Sequence, residues 1–168
     1  YLTDEIPDGI TAWFSSEVTG NPRGEQFEDR AGCIRAVTGS GKRLYIDISA
    51  DQGHGVNVIY SCRNGVISVN ELTGEVNTSV REKEYRNLPT ARYGMPDVNK
   101  RFNIQGAEVV ESSAAVLQAL AQDENNVSGE DGRRVIELLV AAYQSAENSS
   151  ATTQIDHLLP RERVFPWA

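Results

Sequence analysis

Short apolar runs bounded by turn residues, two of them alternating with period two, fill much of the first eighty residues. ITAWFSSEV, residues 10 to 18, is rich in β-branched and aromatic residues and is bounded by Pro7-Asp8-Gly9 and Gly20-Asn21-Pro22. It predicts a strand. A second run covers Phe27 to Val37, and Thr38-Gly39-Ser40-Gly41 predicts a turn after it. Leu44, Ile46, Ile48 and Ala50 then alternate with Tyr45, Asp47, Ser49 and Asp51. That pattern belongs to a sheet with one buried and one wetter face. Val56, Val58, Tyr60 and Cys62 repeat it. Asn64-Gly65 is a strong hairpin signal, with Val66 to Val69 as the returning strand. Glu71 to Arg81 predicts a further hairpin around Thr73-Gly74. Residues 82 to 103 read as irregular, with Pro89 and Pro96 as breakers.

The period changes to 3.6 in the last third. Gly106 to Gln122 predicts a helix with Val110, Ala114, Leu117 and Leu120 on one face. A polar loop follows at Asp123 to Val127. SGEDGRRVIELLVAAYQSAENS, residues 128 to 149, then predicts a helix with a marked start and stop. Ser128 stands at the N-cap with Asp131 three places on, the spacing of a capping box. Glu130 and Asp131 put negative charge at the positive end of the helix dipole. Val135, Leu138, Leu139, Ala142, Tyr143 and Ala146 form an apolar stripe. Residues 151 to 159 predict a last strand, and 161 to 168 a tail. Strands followed by helices predict an α+β fold. The expected architecture is two layers, an open, mostly antiparallel sheet with helices packed on one face, in a single domain over 1 to 168.

Composition narrows the function. A chain of 168 residues with 39% hydrophobic residues can bury one core. The net charge is −8, with no basic cluster beyond the Arg161–Arg163 pair. Phosphate neutralisation dominates nucleic-acid affinity, so neither nucleic acid nor an anionic membrane is an expected partner. No run approaches the length of a bilayer span, and no secretory signal is visible, so a cytoplasmic location is expected. The sequons at Asn77, Asn126 and Asn148 are therefore read as chance matches. Cys33 and Cys62 fall in strand-like runs and are expected to be small buried hydrophobes. Tyr1 opens the chain and Met95 is the only methionine, so a fragment or processed product is expected.

Most chemical motifs are missing. Gly39-Ser40-Gly41-Lys42 has Ala36 where a phosphate loop needs its first glycine, and Arg43 where Ser or Thr should hold the metal. It is better read as a hairpin turn. No Gly-x-Gly-x-x-Gly follows a strand, and neither His54 nor His157 has a ligand at metal spacing. Glu28 and Asp29 are neighbours on a strand and point to opposite faces, so they are no acid–base pair. Four residues remain as substrate-facing candidates. His54 lies in Asp51-Gln52-Gly53-His54-Gly55, as a polar pair with Asp51 or a plain solvated loop. Tyr93, Arg101 and Gln105 surround the start of the first helix, where binding groups are common and where capping is the simpler role.

Gly129-Glu130-Asp131-Gly132-Arg133-Arg134-Val135, running to Ala142-Tyr143-Gln144-Ser145-Ala146, resembles the C-terminal helix of the Gfo/Idh/MocA oxidoreductases. An acid–Gly pair heads that helix in the family, and a Ser closes it before a final strand. Phe27-Glu28-Asp29 with Ala31-Gly32 resembles the strand that opens the family's substrate-domain sheet, Asn64-Gly65-Val66-Ile67 its hairpin, and Tyr1-Leu2-Thr3 the end of the preceding helix. The resemblance covers nearly the whole chain, as the C-terminal domain alone. The family's Glu-Lys-Pro has only Glu82-Lys83-Glu84 as its nearest counterpart, and no Asp stands four places before either histidine. No catalytic, cofactor-binding or metal-binding residue is carried over. The resemblance implies a parent enzyme that uses NAD or NADP, with its own Rossmann domain upstream of Tyr1. It also implies a sheet that forms a homo-oligomer contact and lines part of a sugar or polyol pocket, and the apolar area expected on the face that the helices leave open points to a dimer through the sheet. This chain alone is then expected to hold no cofactor and to be inactive. The competing readings are a stand-alone, non-catalytic binding or assembly module on the same fold, and an unrelated small α+β ligand-binding protein.

Overall fold

The computed structural model describes residues 5–21, 23–49, 56–89, 96–106, 108–122, 128–156, 159–160 and 162–165. The elements in chain order are β1 (Pro7–Gly20), β2 (Glu28–Thr38), β3 (Arg43–Ile48), β4 (Asn57–Cys62), β5 (Gly65–Asn70), β6 (Glu75–Arg81), a 3-10 turn (Lys83–Tyr85), β7 (Asp97–Asn103), α1 (Val109–Ala121), α2 (Gly129–Glu147) and β8 (Thr153–Gln154). The class is α+β with open antiparallel sheets, as the sequence predicts. The strands divide over two four-stranded sheets, ordered β3-β2-β1-β8 and β4-β5-β6-β7. The chain forms two compact units, residues 1–52 with 125–168, and residues 53–124.

In the first unit β1 and β2 pair antiparallel, with Ile10 opposite Ala36 and Ala12 opposite Ile34. All four side chains are buried against Val140, Ala141 and Ala142 of α2, together with Leu159 and Phe165. Alanines at the contact keep helix and sheet close. Phe14 stacks on Tyr143 with ring centroids 4.7 Å apart, and Tyr143 meets Phe165 edge-on at 5.6 Å. The run after Pro160, read from sequence as a tail, thus contributes a ring to this core.

The capping box of α2 forms as predicted. The Asp131 backbone N–H donates to Ser128 Oγ at 3.2 Å, and the Ser128 N–H donates to Asp131 Oδ2 at 2.7 Å. Ser128→Ala is expected to cost about 0.5–2 kcal/mol in urea unfolding, the usual worth of an N-cap bond. The buried stripe is shifted from the predicted one. Val135 is exposed, while Ala141 and Ser145, outside the predicted stripe, are buried completely. Buried positions of α2 all fall in its second half.

In the second unit the Asn64-Gly65 hairpin forms with Arg63 and Asn64 as loop residues and Cys62 opposite Gly65. Gly65 has φ +156°, and a Cβ there would sit 2.0 Å from the Ser79 carbonyl oxygen, so no side chain fits. Residues 97–103, read as irregular, form strand β7 beside β6. Only Val98 and Phe102 are large apolar residues in it, and every position is exposed. An edge strand of that kind is set by backbone pairing, which hydrophobic periodicity does not report. Helix α1 forms inside the predicted limits, yet no residue of it is buried. The expectation of helices packed on a sheet face therefore holds for α2, which contacts β1 and β8.

Both cysteines are free and exposed, contrary to the expectation of buried hydrophobes. Cys33 sits between buried Gly32 and buried Ile34 on an alternating strand, so it points to the opposite face. Cys62 ends edge strand β4 at the hairpin.

Candidate functional site

The β4-β5-β6-β7 sheet has two faces of different character. Directly opposite residues on antiparallel strands point the same way. Val58, Val69, Val76 and Phe102 therefore share one face, next to Tyr60, Ile67, Thr78 and Lys100. The other face carries the row Asn57, Asn70, Glu75, Asn103 and the row Ile59, Ser68, Asn77, Arg101. Beyond them stand Ser61, Val66, Ser79 and Asn99. The first face is mostly apolar, with Thr78 and Lys100 on it, and the other is dominated by carboxamides, hydroxyls and an Arg–Glu pair, with Ile59 and Val66 among them.

Glu75 organises that polar face. Its carboxylate accepts from Asn77 Nδ2 at 2.8 Å and from Arg101 Nη2 at 2.5 Å. The Asn77 bond, then the Arg101 bond and charge, hold its carboxyl below the usual carboxylate range. Asn70 Nδ2 donates to Asn57 Oδ1 at 3.1 Å, and the Ser79 hydroxyl donates to Asp97. Arg101 is 71% exposed at its side chain and keeps donors for a ligand. A carboxylate held ionised and satisfied is a poor general base. The array suits hydrogen bonding to a ligand rich in hydroxyls rather than proton abstraction.

The four sequence candidates fare differently. His54 and Tyr93 lie outside the described residues. Arg101 belongs to the polar sheet face. Gln105 follows β7, is exposed, and has no side-chain link to Arg101. Sequence reasoning missed Glu75, Asn77, Asn57 and Asn70. For Glu75 and Asn77 the signal was polar residues at every second place in 75–79 and 97–103, which becomes visible only once the latter is recognised as a strand, whereas Asn57 and Asn70 join them only through the register of β4 and β5. Glu82, Lys83 and Glu84 line an open hollow that includes no sequence candidate. Among the described residues no group of His, Cys, Asp and Glu could hold a metal ion.

The Gly39-Ser40-Gly41-Lys42 turn joins β2 to β3, as predicted. Ser40 Oγ donates to Glu5 Oε1 at 2.8 Å, and Lys42 Nζ lies 2.5 Å from the same oxygen. Lys42 first, then Ser40 and Thr38, draw the Glu5 carboxyl down to about 2. The turn's hydroxyl and ammonium are thus engaged by the chain's own carboxylate.

No family model matches the sequence, and no curated protein matches it. Among solved structures, the aldose-aldose oxidoreductase from Caulobacter crescentus, complexed with glycerol, matches with a TM-score of 0.61 and 18% sequence identity. The match covers 92% of this chain and 43% of that one, so this chain spans less than half the length of the matched protein. It falls on the C-terminal domain portion of that protein, a Gfo/Idh/MocA member. At this identity the likeness shows the fold, and it is the fold that the resemblance in the sequence implied.

Proposed function

We propose that this chain is the substrate and oligomerisation domain of an NAD(P)-dependent oxidoreductase acting on a sugar or polyol, and that it does not transfer hydride alone. The observation that carries the reading is the shared fold over 92% of the chain with part of an aldose-aldose oxidoreductase. The polar sheet face around Glu75, Asn77 and Arg101 supports a role in holding hydroxyl groups. His54, Tyr93 and Gln105 complete the proposed substrate-facing set.

Hydride transfer needs a nicotinamide fixed against the substrate carbon and a proton acceptor beside the alcohol. The resemblance assigns both to a Rossmann domain and a catalytic lysine that no residue here replaces. A ligand that binds only the native state raises stability by RT ln(1 + [L]/Kd), about 2.7 kcal/mol at 100 Kd. Millimolar NADH or NADPH is therefore expected to leave the melting temperature of the 168-residue chain unchanged. A saturable upward shift, or NADH formed from any polyol by this chain alone, would sink the reading. The same reading expects a βαβ region with a Gly-rich turn encoded in frame ahead of Tyr1.

A further inference from the structure

The sheet of the first unit has two edges of different character. β8 is two residues long and offers little to another chain. β3 is six residues long, contains no proline or lysine, and pairs with β2 without a register shift. Unblunted edges of this kind are templates for a further strand. Leu44, Ile46 and Ile48 lie on the face that α2 covers over β1 and β2, since they stand opposite Ala36, Ile34 and Gly32. They are nonetheless 48%, 36% and 52% exposed.

Neither charge on β3 has a charged residue directly opposite it on β2. Arg43 stands opposite Val37, and Asp47 opposite Cys33. Arg35, opposite Tyr45, is the diagonal neighbour of both. Among the described residues no side-chain hydrogen bond or ion pair involves either Arg43 or Asp47.

We propose that β3 pairs antiparallel with β3 of a second copy of this chain, about a two-fold axis through Tyr45. Positions symmetric about 45 then face each other: Arg43 meets Asp47 twice, Leu44 meets Ile46 twice, and Tyr45 meets Tyr45. Both copies keep their apolar residues on the same side, so Leu44 and Ile46 join their counterparts in one apolar strip, flanked at each end by Ile48 of one copy opposite Lys42 of the other. A slip of one residue would turn one copy's apolar face to the other side. A shift of the axis to Leu44 or Ile46 keeps the faces but sets Tyr45 against Arg43 or against Asp47, which loses both charge pairs. Opposite charges directly across antiparallel strands attract and like charges repel, so the register is specified by the sequence of the strand itself. The other two edges lack this property. β4 has no charged residue, and β7 folded about its centre would set Lys100 against Lys100.

This inference rests on the homo-oligomer part of the function proposed above and names its contact. The test is sedimentation equilibrium of the full chain over a wide concentration range. The chain is expected to dimerise. Asp47→Arg places Arg opposite Arg at both symmetric positions and should weaken the dimer at least about tenfold. The double exchange Arg43→Asp with Asp47→Arg restores opposite charges in reversed order and should recover most of the affinity. Circular dichroism melts of each variant establish that the fold is kept. A dimer untouched by Asp47→Arg would overturn the β3 contact and leave an oligomer formed elsewhere on the sheet. Failure of the double exchange to rescue would overturn it as well, since Asp47 would then act without Arg43. A wild-type chain that stays monomeric throughout would defeat the oligomer reading itself, and the β3 contact with it.

Discussion

Phe165→Ala is expected to lower the stability of the first unit by about 3–5 kcal/mol, the range for emptying a buried aromatic site. Phe165 is 3% exposed. Its ring meets Tyr143 edge-on at 5.6 Å, and Tyr143 stacks in turn on Phe14 of β1 at 4.7 Å. The three rings form a column from strand through helix to the chain's last described residue. Removing the Phe165 ring takes an edge contact from Tyr143, and Arg163, whose guanidinium lies 4.8 Å from the ring centroid, loses its platform. The neighbouring Val164→Ala should move stability by no more than about 0.5 kcal/mol, because Val164 is exposed. Guanidinium unfolding with an unchanged slope reads the difference. A Phe165→Ala shift below about 1 kcal/mol would mean that the segment does not belong to the core. The ion pair beside the ring does not substitute for it. Arg163 holds the Glu147 carboxyl below its usual range, mainly by hydrogen bonding. A depressed folded-state value gives stability that is present above the unfolded carboxylate value and is lost as the pH falls through the folded one. Both side chains are more than two-fifths exposed, so that contribution is small. The Phe165 effect should therefore persist from neutral to mildly acid pH.

What could be read in advance follows from the range of the interactions. Ser128 and Asp131 are three residues apart, so the start of α2 is written locally and appears where expected. The β2–β3 turn and the hairpin at Asn64-Gly65 are equally local. The centre of the buried helix face is not. Leucines and valines drew the stripe through Val135, but the sheet covers the second half of α2, and its deepest positions are two alanines, Ala141 and Ala142, and Ser145. β7 escaped for a related reason. Val-Asn-Lys-Arg-Phe carries almost no apolar alternation, and the strand exists because β6 offers it a ladder. The polar face around Arg101 depended on that ladder. Arg101 was visible as a polar residue near a helix start, whereas its partner Glu75 lies 26 residues away and is brought to it only by strand register.

Ser145→Ala is expected to destabilise by about 1–3 kcal/mol, although it replaces a helix residue with a better helix former. The hydroxyl is completely buried and uses both of its capacities. It accepts from the Ala12 backbone N–H at 2.9 Å and donates to the Ala151 carbonyl at 2.7 Å. The reason lies in the sheet. β1 pairs with β8 only at Gly9 and Ile10, because β8 is two residues long. At Ala12, two residues past that pairing, Ser145 Oγ supplies the acceptor. The same hydroxyl holds the carbonyl of the segment that leads into β8. One side chain thus joins α2, β1 and the approach to the last strand, which explains a serine at the centre of an otherwise apolar contact. Alanine would leave the buried Ala12 amide without its partner, at about 1–3 kcal/mol for a buried group left unsatisfied, whereas the carbonyl of exposed Ala151 can turn to water. The gain in helix propensity returns only about 0.5 kcal/mol. Packing alone would predict little change, since serine and alanine differ by one oxygen. Amide hydrogen exchange separates the two accounts. If the bond matters, the Ala12 amide in the variant should lose more protection than the global loss of stability explains, while the Ile34 amide should track the global value. A variant as stable as the parent, with Ala12 still protected, would show that the helix is held on the sheet by apolar contact alone.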